Sequence, residues 1–172
     1  MLLKIVTLLT AATAAFAGDC GEPQPASGRP KYSLHVIMHG KGAFDMKPLQ
    51  IRDNALVYGL TQGFEYFEVE DAGSALANVV DPWNPPRQLF ANVKTGQLEV
   101  LDHPAPPPGV NGGGFAYKGD GRVKEFSSYG TNQFYSCNSK TDPLHGGPTV
   151  YVFNGGYACP DPVKFSIGAT LE

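Results

Sequence analysis

The sequence predicts an all-β domain of about twelve short antiparallel strands, with a β-trefoil-like barrel favoured over a β-sandwich. Three observations carry that expectation. Tyr32, Leu34, Val36 and Met38 recur at every second position, the period of one face of a strand. The 172 residues include 21 Gly and 15 Pro. Inside a helix Gly costs about 1 kcal/mol and Pro about 3 kcal/mol, which disfavours a four-helix bundle and a doubly wound α/β fold. A degenerate repeat is also present. Phe67-x-Val69 precedes Gly73 and Leu76, Phe90-x-x-Val93 precedes Gly96 and Leu98, and Phe115-x-Tyr117 precedes Gly121 and Val123. Each unit reads as an aromatic-led strand, a Gly turn and a returning strand. Twelve strands is the trefoil number, and a two-sheet sandwich also accommodates them.

Residues 1–17 read as a signal peptide, with Lys4 before an apolar run and Ala15-Phe16-Ala17 as a small-x-small cleavage pattern. Cleavage is expected between Ala17 and Gly18. The run is shorter than the roughly 20 residues a membrane span needs. Residues 18–30, with three prolines and little apolar content, read as a flexible Pro/Gly-rich arm. A single all-β domain then covers 31–172. After the strand at 32–38, candidate strands lie at 44–52, 55–60, 64–70, 74–80, 87–93 and 97–102. Five more lie at 114–118, 122–129, 133–137, 149–153 and 163–169. Segment 74–80 also fits a short helix. Asp120-Gly121 and Asn154-Gly155 are turn pairs suited to positive φ, with Thr95-Gly96 a weaker case. The stretch 103–114 is a long Pro- and Gly-rich surface loop, and its Gly112-Gly113-Gly114 run reads as mobile. A second irregular loop, 81–87, carries Trp83, the only Trp.

The chemistry begins with charge. The chain carries 13 basic and 16 acidic residues. Losing residues 1–17 removes Lys4 and no acid, which leaves 12 basic against 16 acidic groups, a net −4. Such a balance lacks the electrostatic footprint of a nucleic-acid binder. The mature chain has three cysteines, and an exported chain oxidises its thiols. Cys137 and Cys159 flank an apparent hairpin region and are paired here, and Cys20 is left free or available to another chain. None has metal-ligand spacing.

No G-x-S-x-G, H-E-x-x-H or G-x-x-x-x-G-K motif occurs. His35 and His39 have i, i+4 spacing, which on a strand separates them by about 13 Å, too far to share a metal. Glu68 and Glu70 share a strand face about 7 Å apart. A glycosidase pair would need a cleft around them, whereas an acidic face guarding a sheet edge needs none. No catalytic residue, metal site or cofactor is expected. Trp83 offers a stacking platform or a buried plug, and Trp83, Asn111 and Tyr129 on irregular loops are the candidate ligand contacts.

The order of features over residues 31–171 resembles the small secreted fungal cell-wall proteins of the phialide-development type (PhiA-like). The matching elements are Phe67-Glu-Val-Glu-Asp-Ala-Gly-Ser-Ala-Leu76, Pro85-Pro-Arg-Gln-Leu-Phe-Ala-Asn-Val93 and Gly114-Phe-Ala-Tyr117. The terminal pair Phe134-Tyr-Ser-Cys137 and Val150-Tyr-Val-Phe153, leading to Ala158-Cys159 and Phe165, completes them. The Cys…Tyr-x-Phe…Cys arrangement is the most specific. The family's cysteines in the first half are missing, so no disulfide carries over there. The resemblance implies a secreted, non-enzymatic protein of the cell wall or extracellular matrix, tied to spore-forming structures. Its expected partners are wall polysaccharide or an extracellular protein, with neither nucleic acid nor membrane. Two alternatives are a secreted effector or inhibitor that docks a partner protein, and a small glycan-degrading enzyme using Glu68 or Glu70.

Overall fold

Strands alone, with no helix, make up the regular structure of the described residues in the computed structural model, namely 28–38, 46–60, 67–71, 77–80, 87–102, 108–137 and 147–172. In chain order they are β1 (Lys31–Ile37), β2 (Met46–Arg52), β3 (Ala55–Tyr58), β4 (Glu68–Asp71) and β5 (Ala77–Val79). Next come β6 (Arg87–Asn92), β7 (Leu98–Asp102), β8 (Val110–Asn111) and β9 (Phe115–Lys118). The last four are β10 (Val123–Ser128), β11 (Phe134–Cys137), β12 (Thr149–Val152) and β13 (Pro162–Leu171). Twelve of these fall on the segments expected from the sequence, and within 74–80 the described residues 77–79 form the strand β5. The addition is β8, two residues of the Pro- and Gly-rich stretch paired with Ala91 and Asn92. Residues 1–27, with the expected signal peptide, its expected cleavage pair Ala17 and Gly18, and Cys20, lie outside the described residues. So do Trp83 and His39.

Six antiparallel strands close into a barrel in the order β1–β2–β3–β12–β11–β13 and back to β1. Closure gives the backbone groups of these strands ladder partners on both sides. A second circuit of pairings runs β1–β4–β5–β6–β7–β3–β2 and shares three of the barrel strands. The three sequence repeats are three antiparallel hairpins, β4–β5, β6–β7 and β9–β10, all outside the ring. Six barrel strands and three hairpins are the parts of a trefoil, but they come in another order. Here the ring strands sit at the two ends of the chain and the hairpins lie between them, whereas a trefoil spends one hairpin in each third.

The longest strand, β13, organises the barrel. One edge pairs with β1 from Tyr32–Leu171 to Ile37–Ser166. The other edge takes β10 as far as the Phe126–Ile167 rung and β11 from the Phe134–Phe165 rung. Between those rungs β13 advances two residues while the opposing chain advances eight, so six residues around 128–133 are looped out. Phe126 and Phe134 stack 5.8 Å apart across the gap, which places β10 and β11 on the same edge. Phe115 extends the stack at 5.6 Å from Phe126. These rings, with Tyr32, Leu34, Val36, Phe165 and Ile167, fill the core.

Turn chemistry differs from the sequence reading in detail. The β2–β3 hairpin turns through Asp53 and Asn54, both at positive φ, a pair without glycine that the reading passed over. Asp and Asn tolerate this region better than other non-glycine residues. In the β9–β10 turn Gly119, not Asp120-Gly121, has positive φ, and of Asn154-Gly155 only the glycine does. The acidic strand β4 does not guard an edge. It lies between β1 and β5, with Glu68 opposite Ser33 and Glu70 opposite Lys31.

His35 is buried on the outer face of β1, against Gly168, and its Nε2 has no hydrogen-bond partner. Burial lowers its pKa below the usual 6.5, opposed by a smaller contribution from a hydrogen bond to the Ser33 backbone. The folded chain therefore keeps His35 neutral where the unfolded chain protonates it. Stability is complete above about pH 6.5 and falls as the pH drops below it. Thermal melts from about pH 8 to 5 measure the slope, and the His35→Gln variant flattens it.

Cys137 on β11 and Cys159 form a disulfide across a separation of 22 residues. It pins the chain after β12 back onto the barrel wall. Replacing both cysteines with serine lowers unfolding free energy by about 3 kcal/mol through the unfolded state, as read by denaturant titration.

Candidate ligand grooves

Three chain reversals meet at one part of the barrel: the β6–β7 turn at 93–96, the looped-out 128–133 segment, and the return after β12 at 153–157. Local sequence explains each. The Asn92 side-chain oxygen accepts from the backbone N–H of Lys94 and of Thr95, which closes the first turn. Gly96 follows at φ 76°, and a Cβ there would collide with the Val152 carbonyl. In the second, Ser128 and Thr131 exchange backbone hydrogen bonds of 2.9 and 3.1 Å around Tyr129-Gly130, at φ 53° and 77°. Positive φ in a bulky residue is strained by about 1–3 kcal/mol and persists only where the surroundings impose it.

The surroundings of Tyr129 are visible. Its backbone N–H donates to the Gly114 carbonyl at 2.7 Å, and its hydroxyl donates to the Asn111 carbonyl at 3.0 Å. A Cβ on Gly114 would come within 2.8 Å of the Tyr129 ring, and one on Gly112 within 2.7 Å of the Phe90 ring. Gly112 also accepts from the Gln88 side chain at 3.3 Å. The glycine run read as a mobile loop is thus a packed strip that admits two aromatic rings. Its absence of side chains serves close approach, which composition cannot tell apart from flexibility. The Asn111 side chain accepts from the Gly113 N–H at 2.9 Å and shapes the strip. Of the three sequence-derived contact residues, Asn111 and Tyr129 are therefore brought together, with Asn111 as the support of Tyr129. Burial raises the Tyr129 pKa above 10.0, so the phenol keeps its proton to a higher pH than a free one.

The third reversal is aromatic. Tyr135 stacks on Tyr151 at 5.2 Å and meets Tyr157 edge-on at 5.0 Å, and Tyr157 packs 4.9 Å from Phe153. The Ala158 N–H donates to the Tyr135 hydroxyl at 3.0 Å, and the Lys164 ammonium lies 4.9 Å over the Tyr157 ring. Cation–π contact and the disulfide hold this segment in place.

Two grooves result. The smaller, about 290 Å³, is lined by Val93, Tyr129, Thr131, Phe153 and Asn154 among others. The larger, about 610 Å³, is lined by Asn132, Gln133, Phe153, Tyr157, Lys164 and Ser166 among others. Phe153 borders both, and its N–H donates to the Gln133 carbonyl at 2.9 Å. Asn132 is steadied by a 2.7 Å hydrogen bond to Glu125. Aromatic rings beside amides and hydroxyls suit a ligand with apolar faces and many hydroxyl groups. Glu68 and Glu70 line neither groove.

Sequence reasoning missed Phe153, Tyr157 and Lys164. The signal was Phe153-Asn-Gly-Gly-Tyr157, an aromatic pair bracketing a turn just before Cys159. Comparison with family models, curated proteins and solved structures finds no match to this chain.

Gly114→Ala, at φ 82° and under the Tyr129 ring, destabilises the fold by about 1–3 kcal/mol in denaturant titration. Tyr129→Phe removes one partly exposed hydrogen bond and costs about 0.5–1.5 kcal/mol by the same measurement.

Proposed function

We propose that this is a secreted, non-enzymatic protein of the fungal cell wall or extracellular matrix, acting by contact with wall polysaccharide through the two grooves around Phe153. The observation that carries the reading is Tyr157, 40% exposed, fixed by a disulfide-tethered segment between amide-bearing walls. Sugar rings present an apolar face and a rim of hydroxyls, and an aromatic ring flanked by Asn and Gln answers both. The Cys137–Cys159 bond suits an oxidising compartment, in keeping with the signal-peptide pattern at 1–17. The resemblance to phialide-type wall proteins supports the same setting and rests on the sequence motifs alone.

One observation favours the partner-protein reading. Val93 and Tyr129 expose 57% and 45% of their surface beside the smaller groove, as an apolar contact for a protein would.

Retention on insoluble chitin and β-glucan separates the two. The polysaccharide reading expects saturable retention on at least one polymer, weakened roughly tenfold by Tyr157→Ala. Absence of retention on both removes it and leaves the protein-partner reading.

A further inference from the structure

The two grooves adjoin at Phe153. Phe153 is a wall of each, and the opposite wall passes from Thr131 in the smaller to Asn132 and Gln133 in the larger. At this shared border the Phe153 N–H donates to the Gln133 carbonyl at 2.9 Å, a backbone rung. At about 290 Å³ the smaller lies at the bottom of the range for small-molecule sites, which runs from roughly 300 to 1,000 Å³. By itself it is a subsite. Side by side, the two offer more room than either alone.

Charge narrows the occupant. Among the described residues the smaller groove is lined by no Asp, Glu, Lys, Arg or His, and burial only raises the Tyr129 pKa further above 10.0. In the larger groove Lys164 is the one formal charge among the described lining residues, and its ammonium sits over the Tyr157 ring. Hydrogen-bonding groups flank both sides of the rung, Thr131 and Asn154 on one and Asn132, Gln133 and Ser166 on the other.

Resting on the polysaccharide reading of this site, we infer that its ligand is an uncharged glycan chain several sugars long, laid across the Gln133–Phe153 rung so that one molecule occupies both grooves. The Tyr129 turn and the disulfide hold the two halves before binding, so each further sugar adds contact with little added ordering.

The test is calorimetric titration of the full chain with β-1,3-glucan and chitin oligosaccharides of two to six sugars. In at least one series the hexasaccharide binds more than about tenfold tighter than the disaccharide. The double variant Val93→Glu/Asn154→Ala, altering exposed positions on the smaller groove, reduces that advantage below about threefold with an unchanged melting temperature. Tyr157→Ala, on the larger groove, weakens the hexasaccharide. Equal affinity at every length overturns the inference. So does a length dependence that survives the double variant, or tighter binding of an oligogalacturonate than of the neutral hexasaccharide. Retention on an insoluble polymer without binding of any soluble chain removes this inference alone, and loss of both removes the polysaccharide reading with it.

Discussion

The constraint on which the structure depends is the occupancy of β13. Its ten residues pair on one edge with β1, from near the beginning of the domain, and on the other with β10 and β11. Contacts of such sequence separation carry a large loop-closure cost, offset here by continuous ladders and a core of stacked rings. Phe126 and Phe134 reach the same stack from strands six residues out of phase. The phase difference has to go somewhere, and it leaves the barrel as the segment carrying Tyr129 and Thr131. A feature of core packing thereby places chemistry on the surface.

Rigidity at the grooves has two unrelated sources. Around Tyr129 it comes from strain held in place: a left-handed backbone is tolerated because the ring lies on the Gly114 backbone and its hydroxyl reaches the Asn111 carbonyl. Around Tyr157 it is covalent and aromatic, through Cys137–Cys159, Tyr135 and Lys164. Neither half relies on a long flexible loop. Ordering cost on binding is correspondingly small, which suits a protein that works by contact.

Much of the fold was legible because strand formation is a local signal. Tyr32, Leu34 and Val36 alternate toward the core as their spacing requires, and the aromatic-led units form hairpins. The disulfide was legible too, since only Cys137 and Cys159 flank the same strand pair. Less was legible of the site. Asn111 and Tyr129 could be named as loop residues, but their contact is made across 18 positions and depends on glycines whose composition resembles that of a linker. Phe153 and Tyr157 carried no signal that set them apart from core aromatics, because exposure follows from which strand neighbours cover them.

The sequence alone determined the all-β class, the strand positions, the covalent bond and the shortage of charge, since each depends on near neighbours or on composition. Only the tertiary structure decided the order of strands around the barrel, the interior place of β4 and the meeting of three reversals at Phe153. Those depend on pairings between residues far apart in the chain. Such pairings follow from the lowest free energy of the whole assembly, and the periodicity of any one segment is compatible with many of them.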